Sequence, residues 1–227
     1  MPVGRAGRIA GGVIVAIAVA LALAQLVLPG IAADRIGSRV GRYGSVQSVS
    51  VRSWPAVKLL WGDADSVKVR ARDLSLSARQ AASLVWEGRD AGRIDMTAAH
   101  VRLGQLRLSG VSLRKRGGAL SAHATASAAD VGAALPPGVY VSLLRSEGGH
   151  VEVRASGGLF GVSASLVAVA GAREGRLLAR PLGLLLGGFQ LTLFSDPHVY
   201  VDGIGASTVD TPGEAPGYRL QMSARLR

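Results

Sequence analysis

Cysteine is absent from the 227 residues, which excludes disulfides, thiolate zinc sites, iron–sulfur clusters and cysteine nucleophiles. Its absence says nothing about compartment, because a chain this long does not need disulfides to fold outside the cell. Aromatic residues make up only 4% of the chain, so the stacking platforms of nucleic-acid-binding surfaces are nearly missing. Histidine is sparse as well. His100, His123, His150 and His198 are dispersed, none with a second His or a carboxylate at metal-ligand spacing, and each reads as a strand-face or turn residue. There is no G-x-S-x-G elbow for a serine hydrolase. Asp63 and Asp65 lack the further ligands of an EF-hand loop and read as a turn. Gly203 and Gly205 lack the third glycine and the following helix of a dinucleotide site, and are also read as a turn. Asp90 with Asp95, and Glu147 with Glu152, are pairs only in sequence. No catalytic residue, metal or cofactor is expected, and the chain reads as a non-enzyme.

What is present begins with an apolar segment. Arg5 and Arg8 precede an uncharged stretch from Ile9 to Ala33, and up to Leu28 nothing in it is more polar than Gln25. About 20 apolar residues span a bilayer as a helix. Basic residues before the stretch and a polar domain after it place the amino end inside and residues 34–227 outside. Residues 1–33 are thus expected to be a membrane anchor, the alternative being a signal peptide cleaved after small residues such as Gly30 and Ala32. The expected location is the cytoplasmic membrane with the domain outside, or a secreted or periplasmic domain if the segment is cleaved.

Beyond Ser45 the dominant period is two. Val67, Val69 and Ala71 alternate with Lys68, Arg70 and Arg72, and after a break Leu74 and Leu76 follow. Val101, Leu103, Leu106, Leu108, Val111 and Leu113 are interleaved with Arg102, Arg107 and Arg114. Tyr218, Leu220, Met222, Ala224 and Leu226 alternate with polar residues to the end of the chain. Such alternation marks antiparallel strands with one buried and one wet face. Gly117-Gly118, Gly148-Gly149 and Gly157-Gly158 are expected turns. Three short helices interrupt the strands: one after Trp54-Pro55, one capped by Ser77 with Gln80, and one begun by Ser127 and Asp130 and stopped by Pro136. The expected fold is α+β: a long curled antiparallel sheet with a few short helices, after an N-terminal transmembrane helix. Three helices are scant cover for that much apolar strand, so the sheet must curl on itself or leave an apolar trough.

Two segments are richer in apolar residues than a thin sheet requires: W-P-A-V-K-L-L-W-G at 54–62 and P-L-G-L-L-L-G-G-F-Q-L-T-L-F at 181–194. Core packing is one reading. The other is a lining for acyl chains, each buried methylene contributing about 0.8 kcal/mol. On that reading the candidate lipid-binding residues are Trp54, Val57, Leu60 and Trp61, on one buried side of a short helix, with Leu184, Leu185, Leu186 and Phe189, and the two segments share one trough. The net charge of +11, carried by 26 Lys+Arg of which three are Lys, is spread along strand faces, not clustered. That balance favours an anionic membrane surface over nucleic acid.

The order of these pieces resembles the LmeA-type phospholipid-binding family of actinobacterial envelopes. The resemblance rests on the apolar amino-terminal segment, A-D-R-I-G-S-R-V at 33–40, V-S-V-R-S-W-P-A-V-K-L-L-W-G-D-A-D-S-V-K-V-R-A-R-D-L-S-L at 49–76, and V-Y-V-D-G-I at 199–204. Ser53 stands where the family usually has glycine before its aromatic-Pro step. The resemblance implies an exported lipid-binding domain related to tubular lipid-binding folds, and carries over no catalytic residue. The leading expectation is a membrane-tethered, extracytoplasmic, non-enzymatic protein that binds or carries phospholipid or a lipid-linked glycan precursor. The alternative is a structural or adaptor protein whose strand edges pair with an envelope protein.

Overall fold

The computed structural model describes residues 24–25, 27–159, 162–183, 189–209 and 216–227. Most of the apolar run from Ile9 lies outside them, as do Leu184, Leu185 and Leu186. Among the described residues no helix is long and apolar enough to cross a membrane.

Helix α1 covers 27–41 and so runs through the expected division between anchor and domain. Ala32, Ala33, Ile36 and Val40 recur at helical spacing and pack on the core, while Asp34, Arg35 and Arg39 face water. Then follow β1 (Gly44–Arg52), a 3₁₀ helix (Ala56–Trp61), β2 (Ser66–Leu76), α2 (Ala78–Glu87), β3 (Arg93–Leu103), β4 (Leu106–Arg116) and β5 (Ala119–Ser127). After α3 (Ala128–Ala133) come β6 (Val139–Glu147), β7 (His150–Leu159), β8 (Val162–Arg173), β9 (Arg176–Leu182), β10 (Leu191–Phe194), β11 (Val199–Val209) and β12 (Gly217–Leu226). A seven-stranded sheet has the order β1-β2-β3-β4-β5-β12-β11, and a five-stranded sheet the order β10-β9-β8-β7-β6. Both are open.

The large sheet is mixed, not wholly antiparallel as expected, because β2 and β3 run parallel. A parallel pair needs a crossover, and α2 supplies it. Its start is the expected capping box: Ser77 Oγ accepts from Gln80 N at 3.2 Å, and Ser77 N donates to Gln80 Oε1 at 2.7 Å. Helix α3 begins the same way, Ser127 Oγ accepting from Asp130 N at 3.0 Å.

The breaks in the alternation have a structural meaning. Regular pairing runs Ala71–Ala98–Val111 across β2, β3 and β4, and resumes at Asp73–His100–Ser109. Arg72, Ala99 and Gly110 fall between these rows, and Gly110 has φ +57°. One irregularity thus crosses three strands. It flips the parity of each, so that Leu74, Val101 and Leu108 keep to the same face as Ala71, Ala98 and Val111.

That face is covered over β1–β3 by α1, giving a core of Val40, Val51, Val67, Val69, Leu74, Val101 and neighbours. A second, smaller core joins Ala82 and Val85 of α2 to Leu120, Val199, Ala224 and Phe194. Beside the end of α2, in the row of Ile94 and Leu120, Lys115 points into the apolar side. It is 1% exposed, and its ammonium donates to the carbonyls of Arg89, at 2.7 Å, and Ala91, so the charge closes the chain reversal after α2. Burial lowers its pKa from 10.5, against which Asp90 acts to raise it.

The small sheet stands with its turns against the outer edge of β11. Val201 N donates to Gly175 O and Ile204 N to Gly149 O, each at 3.0 Å, so backbone groups an edge strand leaves open are satisfied. Close approach requires glycine here. A Cβ on Gly203 would lie 3.2 Å from the Gly149 Cα. Gly203 and Gly205 are therefore strand residues of β11, where a turn was expected. Gly157 and Gly158 likewise sit inside β7, whereas the Gly117-Gly118 and Gly148-Gly149 turns are found as expected.

Candidate functional site

The large sheet has one apolar and one polar side; the small sheet has one apolar side and one on which Val167, Val169 and Leu178 lie beside Glu152, Arg154 and Arg180, and the two apolar sides come together at two points. Phe194 of β10 pairs with Leu177 in the small sheet, yet packs on Leu120 and Ala224 of the large one. At another point Tyr218 on β12 donates its hydroxyl to Val141 O of β6 at 3.2 Å. The joined surface extends beyond both helical covers. On the large sheet it carries Ala122, Ile204, Leu220 and Met222, and on the small sheet Val141, Val153, Ala155 and Ala168. All eight are half-buried and belong to neither core. Small side chains alternate with branched ones, which leaves shallow relief along which a hydrocarbon chain can lie. Each methylene buried there contributes about 0.8 kcal/mol.

The Trp54–Trp61 segment is built differently from expectation. Its 3₁₀ helix is held by Ala56, fully buried, and by Leu59, which packs on the larger core. Trp54, Leu60 and Trp61 are 74%, 64% and 76% exposed, and Val57 is half-buried. The inward positions fall on the small Ala56 and on Leu59 because the tighter helix shifts which residues share a side. Polar contacts fix the segment. Trp54 N donates to Asp65 Oδ2 at 2.6 Å, Ala56 N to Gln25 Oε1 at 2.5 Å, and Lys58 lies 3.8 Å from Asp65. Asp65 is thus a brace within the loop. Phe189 is 61% exposed and sits before β10, while Leu184, Leu185 and Leu186 lie outside the described residues. Among the described residues no hydrogen bond or core cluster joins Phe189 to Trp54–Trp61.

On the polar side of the large sheet, a cleft of about 820 Å³ runs across β1–β4 beside the bend. Its floor is the backbone row Gly44–Leu74–Val101–Leu108, and its walls carry Asp73, His100, Arg102, Arg107 and Asp130. Arg102 and Arg107 stand directly opposite each other on β3 and β4. The alternation marked both as strand-face residues, but only the pairing register shows that they confront one another. Among the described residues no group of His or carboxylate side chains is arranged to hold a metal. His100 and His123 are exposed on strand faces, His150 binds Gly148 O at 2.9 Å, and His198 stacks on Trp86.

No curated protein and no solved structure matches the chain. A family model described as LmeA-like phospholipid-binding matches residues 19–215, which takes in α1, the small sheet and every strand of the large sheet except β12. That span is most of the chain, and the protein belongs to the LmeA-like phospholipid-binding family.

Proposed function

We propose that the protein is a membrane-tethered, extracytoplasmic carrier that holds phospholipid acyl chains along the joined apolar sides of its two sheets. The observation that carries this reading is the half-buried apolar surface outside both cores, in a chain of a phospholipid-binding family. An ordinary core would bury such residues; here they stay reachable. The basic residues on the polar strand faces suit anionic headgroups of phospholipid or of a lipid-linked glycan precursor. The role is binding and transport, not catalysis. Tethering rests on the apolar run Ile9–Leu28, with residues 34–227 on the outer side.

The test is native mass spectrometry of detergent-extracted protein beside thermal unfolding, for Met222→Asp and Val153→Asp. A carboxylate at either position removes contact with about three methylenes, or roughly 2.4 kcal/mol and some 60-fold in lipid retention. Folded variants that have lost co-purifying lipid are expected. Unfolding of both variants, or undiminished lipid, would refute the reading. One observation favours a second reading: among the described residues β1 pairs only with β2, leaving an outer edge to which an envelope protein could add a strand. Protein in place of lipid in the same spectra would support it.

A further inference from the structure

The end of the large sheet that carries the 3₁₀ helix differs from the rest of the surface. Three large apolar side chains, Trp54, Leu60 and Trp61, point into solvent from a backbone pinned by Ala56, Gln25 and Asp65. Soluble surfaces seldom expose such a cluster without a partner for it. The same sheet end presents arginines in one pairing row: Arg52 opposite Ser66, Ser66 beside Arg93, Arg93 opposite Arg116, and Arg225 beyond Ala119. All four are exposed. Arg225 is neutralised by Asp202 at 3.0 Å, whereas Arg52, Arg93 and Arg116 make no ion pair among the described residues. Arg93 directly against Arg116 is a like-charge pair that destabilises the strands unless an anion lies between them. Lys58 sits within the apolar cluster itself.

The third observation is continuity. Gln25, whose side chain accepts from Ala56 N, belongs to the uncharged run that starts at Ile9. The segment bearing the exposed tryptophans is therefore fastened to the stretch of chain that reads as the membrane span. Tryptophan is enriched where hydrocarbon meets headgroups, because its ring is apolar and its N–H needs a partner.

We infer that this end of the sheet docks on an anionic phospholipid bilayer, with Trp54, Leu60 and Trp61 at the hydrocarbon boundary and Arg52, Arg93 and Arg116 against phosphates. The inference rests on the tethered, lipid-binding reading and names the surface on which that reading operates. Docking stands the large sheet on its end, so that the apolar sides of the strands run away from the membrane and offer extracted acyl chains a path.

Three single-tryptophan variants of the full chain test it, since the sequence holds only Trp54, Trp61 and Trp86. Each retains one tryptophan, the other two being replaced by Phe, and is reconstituted in phosphatidylcholine–phosphatidylglycerol vesicles with brominated acyl chains. Trp86 is the internal control, half-buried and stacked on His198 with ring centroids 4.3 Å apart. Quenching of Trp54 and Trp61 is expected to be several-fold that of Trp86, and to fall when Arg93→Glu and Arg116→Glu are added. Quenching of Trp54 and Trp61 no greater than that of Trp86 would overturn the docking. Quenching unchanged by the two charge reversals would overturn the part given to the arginines. Lipid retained by the detergent-extracted protein, measured on the same samples, keeps the two readings apart. Retained lipid without quenching sinks the docking alone, and loss of lipid with quenching intact sinks the carrier.

Discussion

Replacing Lys115 by Met tests whether the buried ammonium latches α2 over the apolar side of the sheet. The wild-type side chain is 1% exposed and donates to Arg89 O and Ala91 O. Methionine matches its length and apolar stem but leaves both carbonyls without that donor. Hydrogen bonds to a charged group are each worth about 1.5–3 kcal/mol. Part of that loss is offset because an ammonium no longer has to be desolvated. A net loss of roughly 2–4 kcal/mol is expected, or about 5–15 °C in Tm for a domain of this size. The pH dependence is a second readout. Burial lowers the folded-state pKa from 10.5, so the unfolded chain binds more protons between the folded pKa and 10.5. Stability from this group therefore rises with pH across that window, where the penalty of burying the charge disappears. Below the window both states are protonated and the penalty is present in full. Urea unfolding of wild type and Lys115→Met through the alkaline range should show this slope in the wild type and its loss in the variant. Equal or greater stability of Lys115→Met at neutral pH, with an unchanged alkaline slope, would refute the latch.

Ser77→Ala removes the hydroxyl that accepts from Gln80 N, and should cost about 1 kcal/mol in chemical denaturation. A loss confined to α2 would also show as faster amide exchange at Gln80 and Ala81. Gly203→Ala places a methyl group 3.2 Å from Gly149 Cα, so the β6–β7 turn must move from β11 at a cost of roughly 1–3 kcal/mol. Hydrogen exchange at Ile204 N, which bonds Gly149 O, should accelerate; protection equal to wild type would show that the turn does not seal the edge.

The one-dimensional pattern settled much of the strand content, both capped helices, and which side of β2, β4 and β12 is apolar. Those features depend on neighbours in sequence: alternation for β4 and β12, and a serine with its partner three residues on for α2 and α3. Even the bend is written as parity slips at Arg72, Ala99 and Gly110, although its continuity across strands appears only once the register is known. Helix α1 past Ala33 was legible in the spacing of Ala32, Ile36 and Val40, although only the structure shows that these residues pack on the core. The outward tryptophans could not be read from spacing, because a 3₁₀ turn and an α-turn put different residues on the buried side and the choice was made by Ala56 fitting flush against the domain. Nor did sequence show that Gly203 lies against Gly149, or that Arg93 stands opposite Arg116. These are meetings between residues far apart in the chain, governed by strand order and sheet docking. Local pattern determined what most segments are and which face they hide; only the tertiary structure decided which faces meet and which are left uncovered.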